Sequence, residues 1–325
     1  MHVTRATREA MTREMLPHRS PEFRAVWDSI SSRLPGIFRS ARPAMVATGS
    51  STLLMQAALQ SLVRRDVLHL VNGAFSERWA EVGRSLGRSS DEIVVEWGQG
   101  VDPDLLRGAL RRKRYEAVTL AHNETSTGVV QPIEELARVV REESDALVLV
   151  DAVSSLAADR LETDAWGLDF VFAGSQKGLA APPGLAVFSM SERAEQRAEG
   201  VEHRGFYTDL LRYRDQQAKG GPITTPAVPV VYALERQLVT IAAEGLEARW
   251  DRHRGLAERT AEAATRLGLE LAAAEGVRSR TVTCLRPPAG VGAPELVRRM
   301  IGRGYRLASG YGKWKPTTFR VGHMG

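Results

Sequence analysis

Three short apolar runs punctuate the middle of the chain: Ala117–His122 (AVTLAH), Ala146–Asp151 (ALVLVD) and Asp169–Gly174 (DFVFAG). Each is strand-sized, apolar at nearly every position, and stops at polar or small residues, as strands buried on both faces do. Between the first two, QPIEELARVVREES places Ile133, Leu136, Val139 and Val140 at i, i+3, i+6 and i+7, which predicts an amphipathic helix. The runs start 29 and 23 residues apart, about the length of a βαβ unit. Upstream, Leu53–Val63 reads as a helix and Asp66–Val71 as a strand. The expected class is α/β, a mostly parallel sheet sandwiched by helices.

After Ala186–Phe188, which reads as a further strand, the pattern changes. Residues 191–221 are charged and read as irregular. From Pro229 a long helix is expected, with Val231, Leu234, Leu238 and Ile241 on one face and the proline in its first turn. It should break near Gly245 and run on to about Leu267. Thr281–Leu285 reads as a strand, Ala293–Gly302 as a helix and Phe319–Val321 as a short strand. Two domains are therefore expected. Residues 1–229 would form an N-terminal segment and a large domain, and residues 230–325 a long linking helix and a smaller α+β domain.

The 325 residues leave room for two domains, and a 43% hydrophobic, 26% charged composition excludes wholesale disorder. No apolar run approaches the ~20 residues of a membrane helix, and the polar start MHVTRATREAMTREM shows no secretory signal. No membrane partner is expected, and the cytoplasm is the expected location. The single cysteine, Cys284, excludes an intramolecular disulfide and any multi-cysteine metal site; no metal is expected. The net charge of +5 sits at the two ends. Residues 1–42 hold eight Arg against four acids, residues 301–325 hold five basic residues and no acid, and the remainder is net negative. Terminal clusters suit anionic small molecules, and with no continuous basic stripe a nucleic-acid partner is not expected.

In open α/β sheets ligands bind beyond the carboxyl ends of the strands. Here those ends carry His122-Asn123-Glu124-Thr125-Ser126-Thr127-Gly128, Asp151 and Ser175-Gln176-Lys177. The loop Thr48-Gly49-Ser50-Ser51-Thr52 runs into a helix and reads either as a phosphate cradle or as an ordinary N-cap. Asp151 reads either as a cap for the next turn or as a fixed anion for a ring nitrogen, the arrangement that keeps pyridoxal 5′-phosphate (PLP) an electron sink. Lysine usage bears on this choice. Of 44 basic residues only five are Lys, and of these Lys177 alone follows directly on a buried strand. Arginine cannot form a Schiff base, whereas a lysine of lowered pKa can; the alternative is a surface lysine in a turn.

The series NGAFSER (72–78), HNETSTGVVQP (122–132), LVLVDAVSSLAA (147–158), GSQKGLAAPPGLAVFS (174–189) and TFRVGHMG (318–325) resembles the class V aminotransferases of PLP fold type I, in particular the alanine–glyoxylate and serine–pyruvate branch. The resemblance spans about His18 to Gly325. It implies an internal aldimine on Lys177, which also moves the 1,3-prototropic proton, and a pyridinium pairing for Asp151. It further implies that Phe75 stacks on the PLP ring and that Val153 packs on the ring face. Ser50, Ser51, Thr52 and Gln176 would hold the phosphate, Ser126 would lie near the phenolic oxygen, and Arg320 would bind the substrate α-carboxylate. Thr225 would reach the phosphate of a partner subunit, so a homodimer with shared sites is implied. The chain departs from the family pattern at Ser51, where Gly is common, and at Pro222, where a Tyr is usual. It also starts after a PGP-containing segment and stops at Gly325, where the family continues.

The expected function is a PLP-dependent transfer of an amino group from Ala or Ser to glyoxylate or pyruvate. A dicarboxylate acceptor such as 2-oxoglutarate needs a second cation, and no second Arg matches a site motif. Within the fold, His18-Arg19 keeps a phosphoserine or aminophosphonate transaminase as the alternative; a non-transaminase PLP enzyme or a non-catalytic relative is also conceivable. A cysteine desulfurase is disfavoured because ASGYGKWK (308–315) holds no Cys, and a NAD-binding protein because no GxGxxG follows an early strand.

Overall fold

A computed structural model describes residues 3–325; Met1 and His2, the start of the polar N-terminal stretch, lie outside the described residues. Helices α1 (Arg5–Ala10) and α2 (Pro21–Phe38) precede strand β1 (Ala44–Thr48). Then come α3 (Ser51–Leu62), β2 (Asp66–Val71), α4 (Ala74–Ser85), β3 (Ser89–Val94), α5 (Pro103–Arg112) and β4 (Ala117–Ala121). The short pair β5 (Asn123–Glu124) and β6 (Val129–Val130) leads to α6 (Ile133–Glu143), β7 (Leu147–Asp151), β8 (Phe170–Gly174) and β9 (Leu185–Met190). Next are α7 (Glu192–Glu199), α8 (Leu210–Ala218), α9 (Val228–Glu244) and α10 (Leu246–Arg266). The chain closes with β10 (Glu270–Leu271), β11 (Val282–Arg286), α11 (Ala293–Gly302), β12 (Ala308–Ser309) and β13 (Phe319–Gly322).

Seven strands form one sheet in the order β1-β9-β8-β7-β4-β2-β3. Neighbours from β8 through β3 pair parallel, and only β9 runs against both of its neighbours. Ten residues separate β8 from β9, too few for the crossover a parallel return needs. The register sets Ala121 opposite Asp151, Asp151 opposite Phe172, and Thr48 opposite Leu185. The carboxyl ends of β4, β7, β8 and β1 therefore lie along one edge.

Strands β4, β7, β8 and β9 are buried at every position. Alternate side chains feed two cores. Val118, Val148, Val150 and Val171 pack with α2, α5, α6 and α9; Ala117, Leu147, Leu149, Phe170 and Phe172 pack with α3, α7 and α8. Each fully buried Val, Leu or Phe contributes about 1.5–3 kcal/mol. Strand β3, with the polar sequence SSDEIV, went unrecognised in the sequence because an edge strand need bury little.

Residues 191–221 hold two helices where irregular chain was expected. Ser191 caps α7 through the Ala194 N–H, Asp209 caps α8 through the Leu211 N–H, and each helix buries only two or three residues. The long helix breaks at Gly245, whose φ of 82° lies in the left-handed region that suits glycine. A second sheet, β10-β11-β13-β12, is antiparallel throughout, and α10 packs on β10 and β11. Among the described residues no helix is long and apolar enough to cross a membrane.

Candidate active site

A cavity of about 190 Å³ opens at the shared strand edge. Asp151 and Val153 reach it from the end of β7, and Gln176 and Lys177 from the end of β8. Ser50, Ser51 and Thr52 reach it from the start of α3, and Phe75 from the start of α4. Eight of the eleven site residues expected from the sequence thus share one cavity.

Lys177 is held by a tight return after β8. The Ser175 hydroxyl donates to the Pro182 carbonyl at 2.6 Å, and the Ala181 N–H to the Ser175 carbonyl at 2.9 Å. Its side chain lines the cavity, which sets aside the reading as a surface turn. Burial and then the nearby Arg320 charge push its pKa down, against the opposing pull of Asp151 and Glu124. A larger fraction of its amine is therefore neutral and nucleophilic. Asp151 is buried and accepts the Val153 N–H at 2.8 Å, so the turn-capping reading is met by one oxygen. Burial, reinforced by the Glu124 charge, pushes its pKa up to about 7, although the Val153 N–H, Lys177 and Arg78 favour the anion.

At the opposite end, Ser50 occupies the N-cap position of α3 without a side-chain capping bond. The Ser51 hydroxyl is buried and has no protein partner. A Cβ at Gly174 would lie 2.5 Å from that hydroxyl and 2.6 Å from Gln176 Oε1, so glycine is what leaves this cradle open. Hydroxyls, an amide and a helix N-terminus suit a phosphate. With an amine, a buried carboxyl and the walls of Phe75 and Val153, this set fits PLP.

Glu124 stands in the strand end singled out in the sequence, but its role was not legible there. Its Oε2 accepts the N–H groups of Phe75 (3.1 Å) and Ser76 (3.0 Å), and its Oε1 accepts the Ser126 N–H (3.1 Å) and hydroxyl (2.6 Å). Ser126 in turn accepts the Ala74 N–H at 3.0 Å. The two residues cap α4 from β5 and the turn that follows it, and so place Phe75. At the N-terminus of α4, Gly73 is required by close approach, because a Cβ there would lie 2.3 Å from Glu124 Cγ. Ser126 is spent in this cap and does not line the cavity. Asn123, Thr125 and Ser154 line that wall instead, joined by Asn123 Nδ2 to Ser154 Oγ (2.8 Å) and by the Thr125–Ser154 hydroxyl pair (2.7 Å).

Arg320 on β13 lies just outside the lining. Its Nη1 donates to the carbonyl of Thr125 at 3.1 Å and its Nε to that of Ser309 at 2.9 Å. The ASGYGKWK loop folds over the site, and Tyr311 stacks on Phe75 with ring centres 5.2 Å apart. The Tyr311 hydroxyl accepts from Arg78 Nη2 at 2.9 Å, and Arg78 lines the cavity with no carboxylate partner among the described residues. The expectation that no second cation reaches the site is therefore corrected. Arg78 sits one helical turn after Phe75, inside the NGAFSER motif, and that spacing was the available signal.

Two expected features lie elsewhere. Thr225 is exposed and away from the cavity. His18 and Arg19 line a separate, cationic cavity of about 440 Å³ with Arg24, Lys219 and Thr224. Cys284 is buried in β11, where burial pushes its thiol pKa up; it is no ready nucleophile.

Fold and cavity define a PLP fold type I enzyme, a PLP-dependent transaminase. The family Aminotransferase class-V matches residues 44–285, and the chain belongs to it. A serine–glyoxylate aminotransferase of Methylorubrum extorquens is 33% identical over 97% of this chain and 82% of its own length. A relative from Synechococcus sp. that bears the name soluble hydrogenase, small subunit, is 36% identical over 95% of this chain and 82% of its own. The crystal structure of an alanine–glyoxylate aminotransferase from Nostoc sp. superposes with a TM-score of 0.94 at 31% identity, covering 100% of this chain and 88% of that one.

Proposed function

We propose that the protein transfers an amino group from Ala or Ser to glyoxylate or pyruvate. The observation that carries this reading is the meeting of Lys177 and Asp151 in one small cavity, beside a cradle suited to a phosphate. Relatives named for alanine–glyoxylate and serine–glyoxylate transfer support the substrate class.

PLP, when bound, supplies an aldehyde for amines and a pyridinium that accepts the electron pair left at the substrate α-carbon. Ser50, Ser51, Thr52 and Gln176 would hold the phosphate, and Phe75 and Val153 would confine the ring. Asp151 would pair with the ring nitrogen, and a positive charge there would favour its anion against the burial that raises its pKa. The Lys177 amine, of lowered pKa, would be the group that holds the aldehyde carbon and, once displaced by a substrate amine, would serve as the base and acid that moves the α-proton. Arg320, oriented by two carbonyls, binds the substrate α-carboxylate. Thr225, exposed in one subunit, serves the phosphate of a facing subunit in a homodimer.

One observation favours a second reading. The cavity-wall guanidinium of Arg78 fits a substrate with a second anionic group, such as 2-oxoglutarate or phosphoserine. Glyoxylate, pyruvate and 2-oxoglutarate, each paired with Ala, Ser and phosphoserine, separate the two. On the first reading glyoxylate or pyruvate should give the higher kcat/KM; a clear preference for 2-oxoglutarate or phosphoserine would hand the case to the second reading. Borohydride should fix the cofactor on Lys177 alone, and Lys177→Ala should abolish turnover; fixation on Lys113 or Lys219 would sink the assignment.

A further inference from the structure

Arg249 lies outside the cavity yet reaches both of its working loops. It sits on α10, one turn beyond the break at Gly245, and is 3% exposed. Its Nε donates to the Ala157 carbonyl at 2.9 Å, its Nη2 to the Gly178 carbonyl at 2.8 Å, and its Nη1 to Glu244 Oε2 at 2.6 Å. Gly178 adjoins Lys177, and Ala157 belongs to the loop that leaves Asp151.

The two loops touch. A Cβ on Gly178 would lie 2.2 Å from the Leu156 carbonyl oxygen and 3.0 Å from Ala158 Cβ. Each loop also holds an alanine in the left-handed region, Ala157 at φ 63° and Ala180 at φ 56°. Such conformations persist only where the surroundings over-determine them. A buried guanidinium is itself costly unless its donors are satisfied. Packing alone would be served at lower cost by an apolar side chain, so the feature specific to arginine is the planar fork that spans two carbonyls.

We propose that Arg249 is a positioning residue: it clasps the Lys177 loop to the Asp151 loop and thereby sets the amine relative to the carboxylate. The roles of those two residues rest on the transaminase reading above. Through Glu244 the clasp also meets the α9–α10 junction. Helix α9 packs in the main core and α10 packs on the sheet that carries Arg320, so the amine and the carboxylate site share one support.

The test compares Arg249→Lys, which keeps the charge and loses the fork, with Arg252→Gln. Arg252 donates to Glu244 Oε1 at 2.6 Å but has no bond to either loop. On the PLP-loaded enzyme, kcat and KM are measured. On protein freed of PLP, the rate at which a small neutral reagent acylates Lys177 is read by mass spectrometry, beside the Tm. Arg249→Lys should lower kcat about tenfold or more with KM changed less than about threefold, and should alter Lys177 acylation by about threefold or more. Arg252→Gln should leave both readouts at wild-type values. Wild-type kcat and Lys177 reactivity in Arg249→Lys, with only the Tm lowered, would overturn the proposal. If the lysine variant does not fold, Arg249→Gln, which buries no charge and reaches at most one carbonyl, is judged by the same outcomes. Absence of turnover in the wild type would count against the transaminase reading, and Lys177 acylation would still decide the clasp.

Discussion

Asp151 and Lys177 feel the same burial with opposite results, because burial disfavours whichever form is charged. The Asp151 carboxyl titrates near 7 in the folded protein against an ordinary 3.8. Between those values the folded state holds a proton that the unfolded chain has lost, so its contribution to stability falls as pH rises through the window and is lowest above 7. Asp151→Asn should therefore stabilise PLP-free protein at pH 8, by on the order of a few kcal/mol at most and with a raised Tm, and should change its stability little near pH 4. The same substitution should cut turnover sharply, since a neutral amide cannot hold the ring nitrogen protonated. Thermal melts across pH, beside activity at one pH, check both signs. Arg320→Lys should raise KM for amino and oxo acids by roughly tenfold, because an ammonium cannot give two-point carboxylate recognition. The absorbance of the bound cofactor should stay as in the wild type, and an unchanged KM would move the carboxylate site elsewhere.

Helix α4 depends on a residue that is not its own. Its N-terminal N–H groups find their acceptor on Glu124, 49 and 48 residues away for Phe75 and Ser76. Glu124→Ala would leave those buried donors unpaired at about 1–3 kcal/mol each. Denaturant unfolding should show a loss of roughly 2–4 kcal/mol, and PLP affinity should fall with it because Phe75 is no longer placed. A loss below about 0.5 kcal/mol would mean that water replaces the carboxylate. Helices α7 and α8 make a different point. Their caps at Ser191 and Asp209 were readable, but a stripe of two or three buried residues is too narrow to mark a helix against so charged a background.

Across the whole molecule, Thr225 stands exposed and outside the lining of its own chain's cavity, where a shared site would leave it free to meet a facing subunit. Light scattering should find a dimer at working concentration, and Thr225→Ala should weaken PLP binding in that dimer; a fully active monomer would overturn the shared site. The parallel ladder of β4, β7 and β8 is written in the chain's own pattern, because strands buried on both faces must be apolar at every position. Lys177 and Asp151 were legible for the same reason: each stands out where such a run ends. The reversal of β9, the use of Ser126 in a cap, and the arrival of Arg78, Tyr311 and Arg249 at the site came from the packing of distant elements. Arg78 and Tyr311 meet across 233 residues and Arg249 and Ala157 across 92. No periodicity or spacing within a segment encodes such contacts, because they exist only once packing has chosen which elements are neighbours.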